Sequence, residues 1–598
     1  MDTRKIPSRK EGRVIIHFDY DCFYAAVFEA KNPSLKALPF AVQQKQIIVT
    51  CNYEARRRGL HKLQLIRDAK RICPEVIIEL GEDISRFRDA SKELYKFIEA
   101  YTWNGKVERL GFDEVWLDVT DMVDYNMEIL NKNDLEHSFF QVSRDDPTVG
   151  FDFDATAVTG HTYPKDYSFP SAEAVDEATL RLRLGSHLAI FVRHALEQHK
   201  GYTATVGIAT NKLLSKLVGN LHKPKDQTTL MPNPNTSGDH GSHAMAFLAD
   251  HEIGKVPGIG FKLAQKLREH LLHRPADFDQ GLVYGGTKER VTVGMVRECP
   301  DVNSEMLEKL LAGPGSQHGI GYKVWCLLHA IDDSEVSQMR TVPRQISIED
   351  SYIRLDTLPE VLRELNILAK SLITRMRIDL LGSDEQFEPV PSEDDPDETR
   401  APSTDGKKWL AHPKTIRLTT RPRQAMLPDG TRPRSFKRIS HSAPLPNFIF
   451  ALGESIESLA DKLVKECLVG MFRKLHPEKA GWNLSLVNLA VTNMAETAGN
   501  SKTANGRDIS NMFRRQEDVL KDFRVTDHDD SSTPSEVVAD VGLKQEHGDE
   551  QQAPMVVDAV HDEWDDGSEG EDDARCEVCG MSLPSFAMVA HRRFHSLP

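Results

Sequence analysis

The chain has 598 residues, 39% of them apolar and 28% charged, and a formal net charge of −16. That length exceeds what one hydrophobic core organises, so several domains are expected. No apolar run is long enough to cross a bilayer, and the polar, basic opening MDTRKIPSRKEGR lacks the apolar stretch of a secretory leader, which argues against both.

The charge is unevenly placed. Residues 525–574 carry 17 acids against one base, Lys544, and a second run between Asp384 and Glu398 holds eight acids and no base. The remainder is therefore mildly basic, a balance compatible with nucleic acid, while the two acidic runs are read as solvated. Cys22, Cys51, Cys73, Cys299, Cys326 and Cys467 have no framework spacing, the pattern of a reducing compartment.

Residues 14–25, VIIHFDYDCFYA, read as a buried strand whose apolar pattern breaks at Asp19 and Asp21, with FYAAVFEA continuing as a helix. PFAVQQKQIIVTCNYEARRRGL then reads as strand, turn, strand and a helix starting near Asn52. Tyr53 and Arg56 share a face of that helix. With Arg57 and Arg58 beside them they suit a triphosphate, although a solvated helix surface is the plainer reading of such a pair.

An amphipathic helix over LGEDISRFRDASKELYKFIEAYTWNG leads to VERLGFDEVWLDVT, a second apolar strand pattern broken by Asp113 and Glu114. Neighbouring strand residues face opposite ways, so this pair shares a site only at a turn or distorted strand end, which Gly111 permits. Burying unpaired carboxylates is costly, so several acids on two core strands call for a cation. Hard oxygen ligands suit two magnesium ions, the arrangement that aligns an in-line phosphoryl transfer. For Asp-Glu alone, a surface hairpin turn is the competing reading.

Residues 122–175, rich in Asp, Asn, Ser, Thr and Pro, read as a long flexible insertion. Beyond it come an amphipathic helix in ATLRLRLGSHLAIFVRHALEQHKG, a strand in YTATVGIA, a helix bearing Lys212 and Lys216, and a turn at His222-Lys223-Pro224, where Lys223 is a second phosphate candidate. MAFLADHEIGKVPGIGFKLAQKLREHL has the pattern of a helix-hairpin-helix, in which Gly258 and Gly260 allow close approach to a DNA phosphate without reading sequence. Residues 340–496 read as a separate α/β unit of three strands and two helices. Its basic residues Arg417, Arg421, Arg423, Arg432, Arg434, Lys437 and Arg438 would track a duplex backbone by charge. Near the C-terminus, Cys576, Cys579, His591 and His595 have the spacing of a tetrahedral zinc finger, a unit too small to fold without its ion.

The segments FDYDCFYA, VTCNYEARRRGL, VERLGFDE, TVGIATNKLLSKL, HKPKDQT and VPGIG together resemble the Y-family translesion DNA polymerases, the iota branch most of all. The resemblance covers roughly residues 13–496 apart from 122–175 and 384–400. It implies a multidomain α+β right-hand polymerase: palm at 12–24 and 84–232, fingers at 25–83, a helix-hairpin-helix thumb at 233–338 and a little finger at 339–498 with an acidic loop at 383–400. A disordered acidic linker at 499–574 and a zinc finger at 575–598 would follow.

The resemblance also assigns roles. Asp19, Asp113 and Glu114 would be catalytic and would hold two Mg²⁺ ions, Mn²⁺ being the alternative, with the Tyr20 main-chain carbonyl completing one site. Asp21 would be structural. Cys22, Phe23, Tyr24, Tyr53, Arg56 and Lys223 would bind the dNTP, Tyr24 as a steric gate against a ribose 2′-hydroxyl. Gln43, Gln44, Lys45 and Ile47 would roof the templating base, Ile47 standing where the family usually shows leucine. Low fidelity is expected, because a mispair discriminated by hydrogen bonding and modest shape loses only about 1–3 kcal/mol.

In the tail, Ile509, Met512 and Phe513 have the spacing of a sliding-clamp-binding motif, with Gly506 in place of its usual glutamine. The finger resembles the ubiquitin-binding fingers of translesion polymerases, its helix offering Ala587, Ala590 and Phe594. The iota branch of animals uses other ubiquitin-binding motifs, so an eta-like ancestry stays open. The expectation is a monomeric nuclear enzyme that extends primer-template DNA past damage, with clamp and ubiquitin, or ubiquitinated clamp, as partners and no membrane. The alternatives are a non-catalytic clamp- and ubiquitin-binding scaffold or an eta-like polymerase.

Overall fold

The computed structural model describes residues 10, 12–167, 176–233, 242–275, 289–313, 316–340, 342–352, 354–383, 407–423, 438–478, 480–496, 573–575 and 582–584. Most of them divide between a compact unit within Met1–Thr341 and a second within Val342–Ala425 and Ser435–Glu563.

The first unit is built on Ile15–Tyr20, whose β-branched and aromatic residues favour an extended, buried strand. It lies inside a six-stranded sheet, antiparallel to Ala204–Ala209 on one side and to Glu114–Asp118 on the other. Val107–Leu110 closes one edge, and Gln227–Leu230 with His161–Tyr163 extend the other. Strand alternation then sorts the residues. Ile16, Phe18 and Tyr20 enter the main core with Leu94 and Ile98 of the helix Ser85–Glu99 and with Leu184, Leu188 and Val192 of the helix Glu177–Lys200. Ile15, by contrast, packs with Trp116 and Val336 in a separate cluster, and the His17 ring lies tilted against the same indole, which marks the other face.

The long helix Glu177–Lys200 starts where Asp176 accepts a bond from the Thr179 amide (2.6 Å) and stops at Gly201, whose φ of 76° a side chain would resist. The shorter helix Lys212–Val218 lies so close to the sheet that a Cβ on Gly207 would overlap the Ser215 carbonyl oxygen. That approach brings Lys212 and Lys216 over the sheet face opposite the main core.

A four-stranded layer, in the order Gln64–Leu65, Ile47–Cys51, Phe40–Gln44 and Ile77–Leu80, follows the first helix, Phe23–Lys31. The helices His243–Ala249, Phe261–Leu272, Val293–Glu298, Ser304–Leu311 and Ile320–Leu328 share a core that includes Leu248, Leu267, Val293, Leu307 and Val324. In the helix-hairpin-helix stretch, the first helix ends at Ala249 and a 3-10 turn, Ile253–Lys255, stands between it and the VPGIG loop.

Residues 122–167 differ from the flexible insertion expected of their composition. They contribute the end of the helix Thr120–Ile129, the antiparallel pair Ser138–Gln141 and Gly150–Phe153, and the sheet strand His161–Tyr163. The reason is apolar: Phe140, Phe153 and Ala155 are buried in the main core, and the polar residues between them, such as Asp146 and Asp154, close turns on Thr148 and Thr156. Residues 168–175 lie outside the described set.

The second unit is an antiparallel sheet in the order Ile346–Ser351, Leu484–Glu496, Ala411–Pro422 and Ile439–Pro444. Two helical segments, Leu358–Leu380 and Ile456–Leu475, supply its core; the second passes through a π turn at Val464–Leu468. Besides the three strands read from the sequence, Ile439–Pro444 joins the sheet, and the short ribbon Leu381–Ser383 with Lys407–Trp409 flanks the acidic stretch. Elsewhere, Asp573–Arg575 and Ser582–Pro584 pair as an antiparallel ribbon.

Candidate active site

The sheet face opposite the main core collects the acids. Asp19 sits across from Glu114 in the register of their two strands, and Asp113 lies in the turn that Gly111 opens with a φ of 66°. The Tyr20 amide donates to the Asp113 carbonyl oxygen (2.8 Å), which ties that turn to the end of the central strand. The turn resolves the geometric difficulty of two adjacent acids, since Asp113 precedes the strand that starts at Glu114.

Two ammonium groups on this face bond the acids directly. Lys216 Nζ donates to Glu114 Oε2, and Lys223 Nζ donates to Asp19 Oδ2. His17 Nε2 lies 3.2 Å from Glu114 Oε2, its ring buried 5.0 Å from the Trp116 ring, and Lys212 and Lys216 lie over the indole at 5.1 and 5.7 Å. Burial raises the Glu114 carboxyl, but His17 and Lys216 outweigh it and hold the group at about 2. Asp113 is the opposite case: burial, reinforced by the charges of Glu114 and Asp19, pushes it up to about 7. A site that disfavours the charged form of one carboxyl and draws lysines onto two others is short of positive charge. Three converging carboxylates are the hard-oxygen donors that a divalent cation takes, so the residues fit a Mg²⁺ centre.

Asp21 is separate. It is 7% exposed, accepts a bond from Thr205 Oγ1 (2.8 Å) and another from the Lys225 amide (3.0 Å), and so braces the turn that carries Lys223.

Cys22, at a φ of 48°, begins the helix Phe23–Lys31, which places the amides of Cys22 and Phe23 at a helix N-terminus beside the Asp19 strand end. Tyr24, in the first turn, stacks on the fully buried Phe87 with 4.0 Å between centroids and 7° between planes. From the other side, the helix Tyr53–Arg57 supplies Tyr53 and Arg56, with the guanidinium 4.6 Å above the phenol ring. Burial and the nearby Asp21 and Cys22 push the Tyr53 hydroxyl up, and burial, partly offset by Arg56, pushes the Cys22 thiol up to about 12. Those mutual influences put Tyr53 and Arg56 next to the strand end that bears the acids.

Asn52 holds this helix in place. Its Oδ1 accepts from the amides of Ala55 (2.9 Å) and Phe40 (3.1 Å), and its Nδ2 donates to Glu29 Oε1 (2.9 Å) and to the carbonyls of Leu35 (3.2 Å) and Leu38 (2.9 Å). The hairpin at Gln43–Ile47 turns at Lys45, whose φ is 49°, and is fixed by Gln44 Nε2 on the Gly81 carbonyl (2.7 Å) and by the Lys45 amide on Glu82 Oε1 (3.2 Å).

The acids, Tyr20, Cys22, Phe23, Tyr24, Tyr53, Arg56 and Lys223 are thus brought together. Gly258 adopts a φ of 86° before the helix that starts at Phe261, and Gly260 has open space where a Cβ would stand. Arg421 does not fit its expected place on the surface. It is 9% exposed and its Nε donates to Ser485 Oγ (3.0 Å), next to the register shift that follows at Pro422. Arg417 is exposed, with Nε on Ser442 Oγ (3.2 Å). Arg432, Arg434, Lys437, the motif Ile509, Met512 and Phe513, and Cys576, Cys579, His591 and His595 lie outside the described residues.

Sequence reasoning missed His17, Asn52 and Phe87, and gave Lys216 no role. Asn52 was legible as an N-cap directly ahead of a helix. His17 was legible from alternation, being two residues from Asp19. Phe87 had no such signal, since its partner Tyr24 is distant in the chain.

Residues 18–220 match the impB/mucB/samB family. The chain is 30% identical over 484 residues to DNA polymerase iota of Homo sapiens, covering 81% of this chain and 52% of that protein. It is 36% identical over 265 residues to DNA polymerase iota of Drosophila melanogaster (44% of this chain, 32% of that one) and 29% identical over 287 residues to DNA polymerase eta of the same organism (44% and 31%). It therefore spans about half the length of the human and mouse iota proteins, 52% and 54%. The carboxylate face falls inside the stretch, residues 18–220, that matches the impB/mucB/samB family.

Proposed function

We propose that the chain is an iota-like, error-prone translesion DNA polymerase that transfers a deoxynucleotide from a dNTP to a primer 3′-hydroxyl opposite damaged template. The observation that carries this reading is the convergence of Asp19, Asp113 and Glu114 with Tyr53, Arg56 and Lys223 on one strand end. Asp19, Asp113 and Glu114, with the Tyr20 carbonyl, would hold two Mg²⁺ ions, or Mn²⁺ in their place. Such ions lower the pKa of the attacking hydroxyl and neutralise charge on the triphosphate.

The remaining work falls to the chain. Arg56 and Tyr53 bind triphosphate oxygens from the helix side, and Lys223 from the sheet side, exchanging its Asp19 partner for phosphate. The amides of Cys22 and Phe23 add the positive end of a helix. Tyr24, held flat by Phe87, closes the space beside the sugar 2′ position. The six-stranded sheet then acts as palm, the layer 40–80 as fingers with the Gln44–Ile47 hairpin roofing the template base, and the helical segment as thumb. The second unit acts as little finger, with Arg417 on its exposed face.

In the tail, Ile509, Met512 and Phe513 would dock on a sliding clamp. Cys576, Cys579, His591 and His595 would hold Zn²⁺ in a ubiquitin-binding finger, and the ribbon 573–575 with 582–584 brackets the cysteine pair as a finger requires. Action on nuclear DNA follows from this reading. Primer extension opposite each template base tests it: insertion should differ sharply between template A and template T. Absence of any incorporation, or equal incorporation by Asp113→Ala/Glu114→Ala, rejects it.

A further inference from the structure

We propose that the helical segment 243–328 carries a zinc site formed by His270, Cys299 and Asp301, apart from the carboxylate centre and from the tail. His270 lies in the last turn of the helix Phe261–Leu272, and Cys299 and Asp301 lie in the loop after the helix Val293–Glu298. Their donor atoms all fall within 4.8 Å of one another. Asp301 Oδ2 is 3.4 Å from His270 Nε2, and Asp301 Oδ1 is 3.3 Å from Cys299 Sγ. Bonds of about 2.0–2.3 Å in a tetrahedron separate neighbouring donors by about 3.3–3.7 Å. The two oxygens of Asp301 each stand at such a distance from one of the other donors, and the whole set closes to that size with a small turn of the carboxylate.

Donor chemistry selects the metal. A thiolate excludes Mg²⁺ and Ca²⁺, whereas thiolate, imidazole and carboxylate together are the ordinary ligands of Zn²⁺. The imidazole gives a further sign: Nε2 of His270 is buried without a hydrogen-bond partner and meets Asp301 Oδ2 at 3.4 Å as an ion pair. An ion bound between the three side chains satisfies that nitrogen. Beside His270 lies a pocket lined by Lys266, Glu269, His273 and Leu310.

Such an ion would staple the helix Phe261–Leu272 to the loop at residues 299–303. The helix-hairpin-helix turn would then be held from the far end of its second helix.

The site is tested on the full chain carrying Cys576→Ser and Cys579→Ser, which removes the tail cysteines, with Mg²⁺ in excess to occupy the carboxylate centre. Cobalt(II) titration should then give one equivalent with a near-ultraviolet thiolate band and intense tetrahedral visible bands, both absent after Cys299→Ser and weakened after His270→Gln. Zinc added to the unsubstituted chain should slow alkylation of Cys299, read by peptide mass spectrometry, which keeps the test decisive if a variant fails to fold. A spectrum without a thiolate band, a band that survives Cys299→Ser, or Cys299 alkylation indifferent to zinc overturns the site and leaves only a thiol and an ion pair meeting at one carboxylate.

Discussion

The strands Ile15–Tyr20 and Ala411–Pro422 are both central, both alternate between core and polar residues, and use their polar faces differently. On the first, each polar side chain is gripped by others: His17 against Trp116 and Glu114, Asp19 by Lys223, and the facing Glu114 by Lys216. On the second, Lys414 and Arg417 are exposed between buried residues, and Arg417 is held by one bond to Ser442. Chemistry needs groups fixed before the substrate arrives, whereas attraction to a phosphate backbone needs only charge near the right distance. Mutations should therefore act sharply on the first strand's surroundings and gently on the second's face.

The largest effect is expected for Asp113→Ala/Glu114→Ala. Removing two acids of the centre should cost about three orders of magnitude in primer extension, the several kcal/mol that a metal clamp supplies. DNA binding measured by fluorescence anisotropy should be unchanged. Loss of binding together with catalysis would mean that the acids support the fold and not the reaction.

Next comes pH. Asp113 is pushed up to about 7 from an ordinary 3.8, chiefly by burial and then by its acidic neighbours. The folded, metal-free chain thus keeps a proton that the unfolded chain gives up, so the contribution to stability is full at low pH and is lost as pH climbs through this window to about 7. A divalent ion needs the carboxylate ionised, so its apparent affinity should fall about tenfold per pH unit below 7. Calorimetric titration of Mg²⁺ in buffers of different ionisation enthalpy should register release of a proton near pH 6 and little above pH 8, about one unit either side of that value. Equal proton release at both would exclude Asp113 from the site.

Asn52→Ala should cost about 3 kcal/mol of stability, because it strands two amides and a carboxylate in a buried setting and removes a helix cap. Urea unfolding measures it. Dependence on dNTP concentration should worsen as well, since Tyr53 and Arg56 ride on the helix that Asn52 caps.

A smaller change is expected for Phe87→Leu, which keeps most of the apolar volume and loses the ring stacked on Tyr24. Such pairs are worth about 1 kcal/mol, so ribonucleotide incorporation relative to deoxynucleotide should rise about fivefold. Unaltered discrimination would place the sugar filter elsewhere.

The sequence revealed the parts whose signals are local. Periodicity and turn residues located the strands around Asp19 and Glu114, the helix after Asn52 and both helices of the second unit. It failed where the deciding contact is long-range. Residues 122–167 look like a polar loop because their few aromatics are scattered, and only the buried positions of Phe140 and Phe153 explain their order. Arg421 looks like its neighbour Arg417 in a run of basic residues and shares its parity on the strand, yet it is buried where Arg417 is exposed, bonded to Ser485 beside the Pro422 register shift. Phe87 and Tyr24 meet through tertiary packing that neither stretch encodes alone.

Those two arginines give the mildest and most discriminating test. Arg417→Ala removes one exposed positive charge, so it should weaken DNA binding by a few-fold at most and lower the magnitude of the salt slope by about 1, with stability unchanged. Arg421→Ala deletes a buried group and leaves Ser485 without its donor, so it should destabilise the second unit by about 2 kcal/mol in thermal or urea unfolding. Its salt slope should stay at the value of the unmodified chain, because a guanidinium enclosed in the sheet releases no counterion when DNA binds. If instead Arg421→Ala lowers the slope as Arg417→Ala does, the buried position bonded to Ser485 is not the one that meets DNA, and the side chain must leave it on binding.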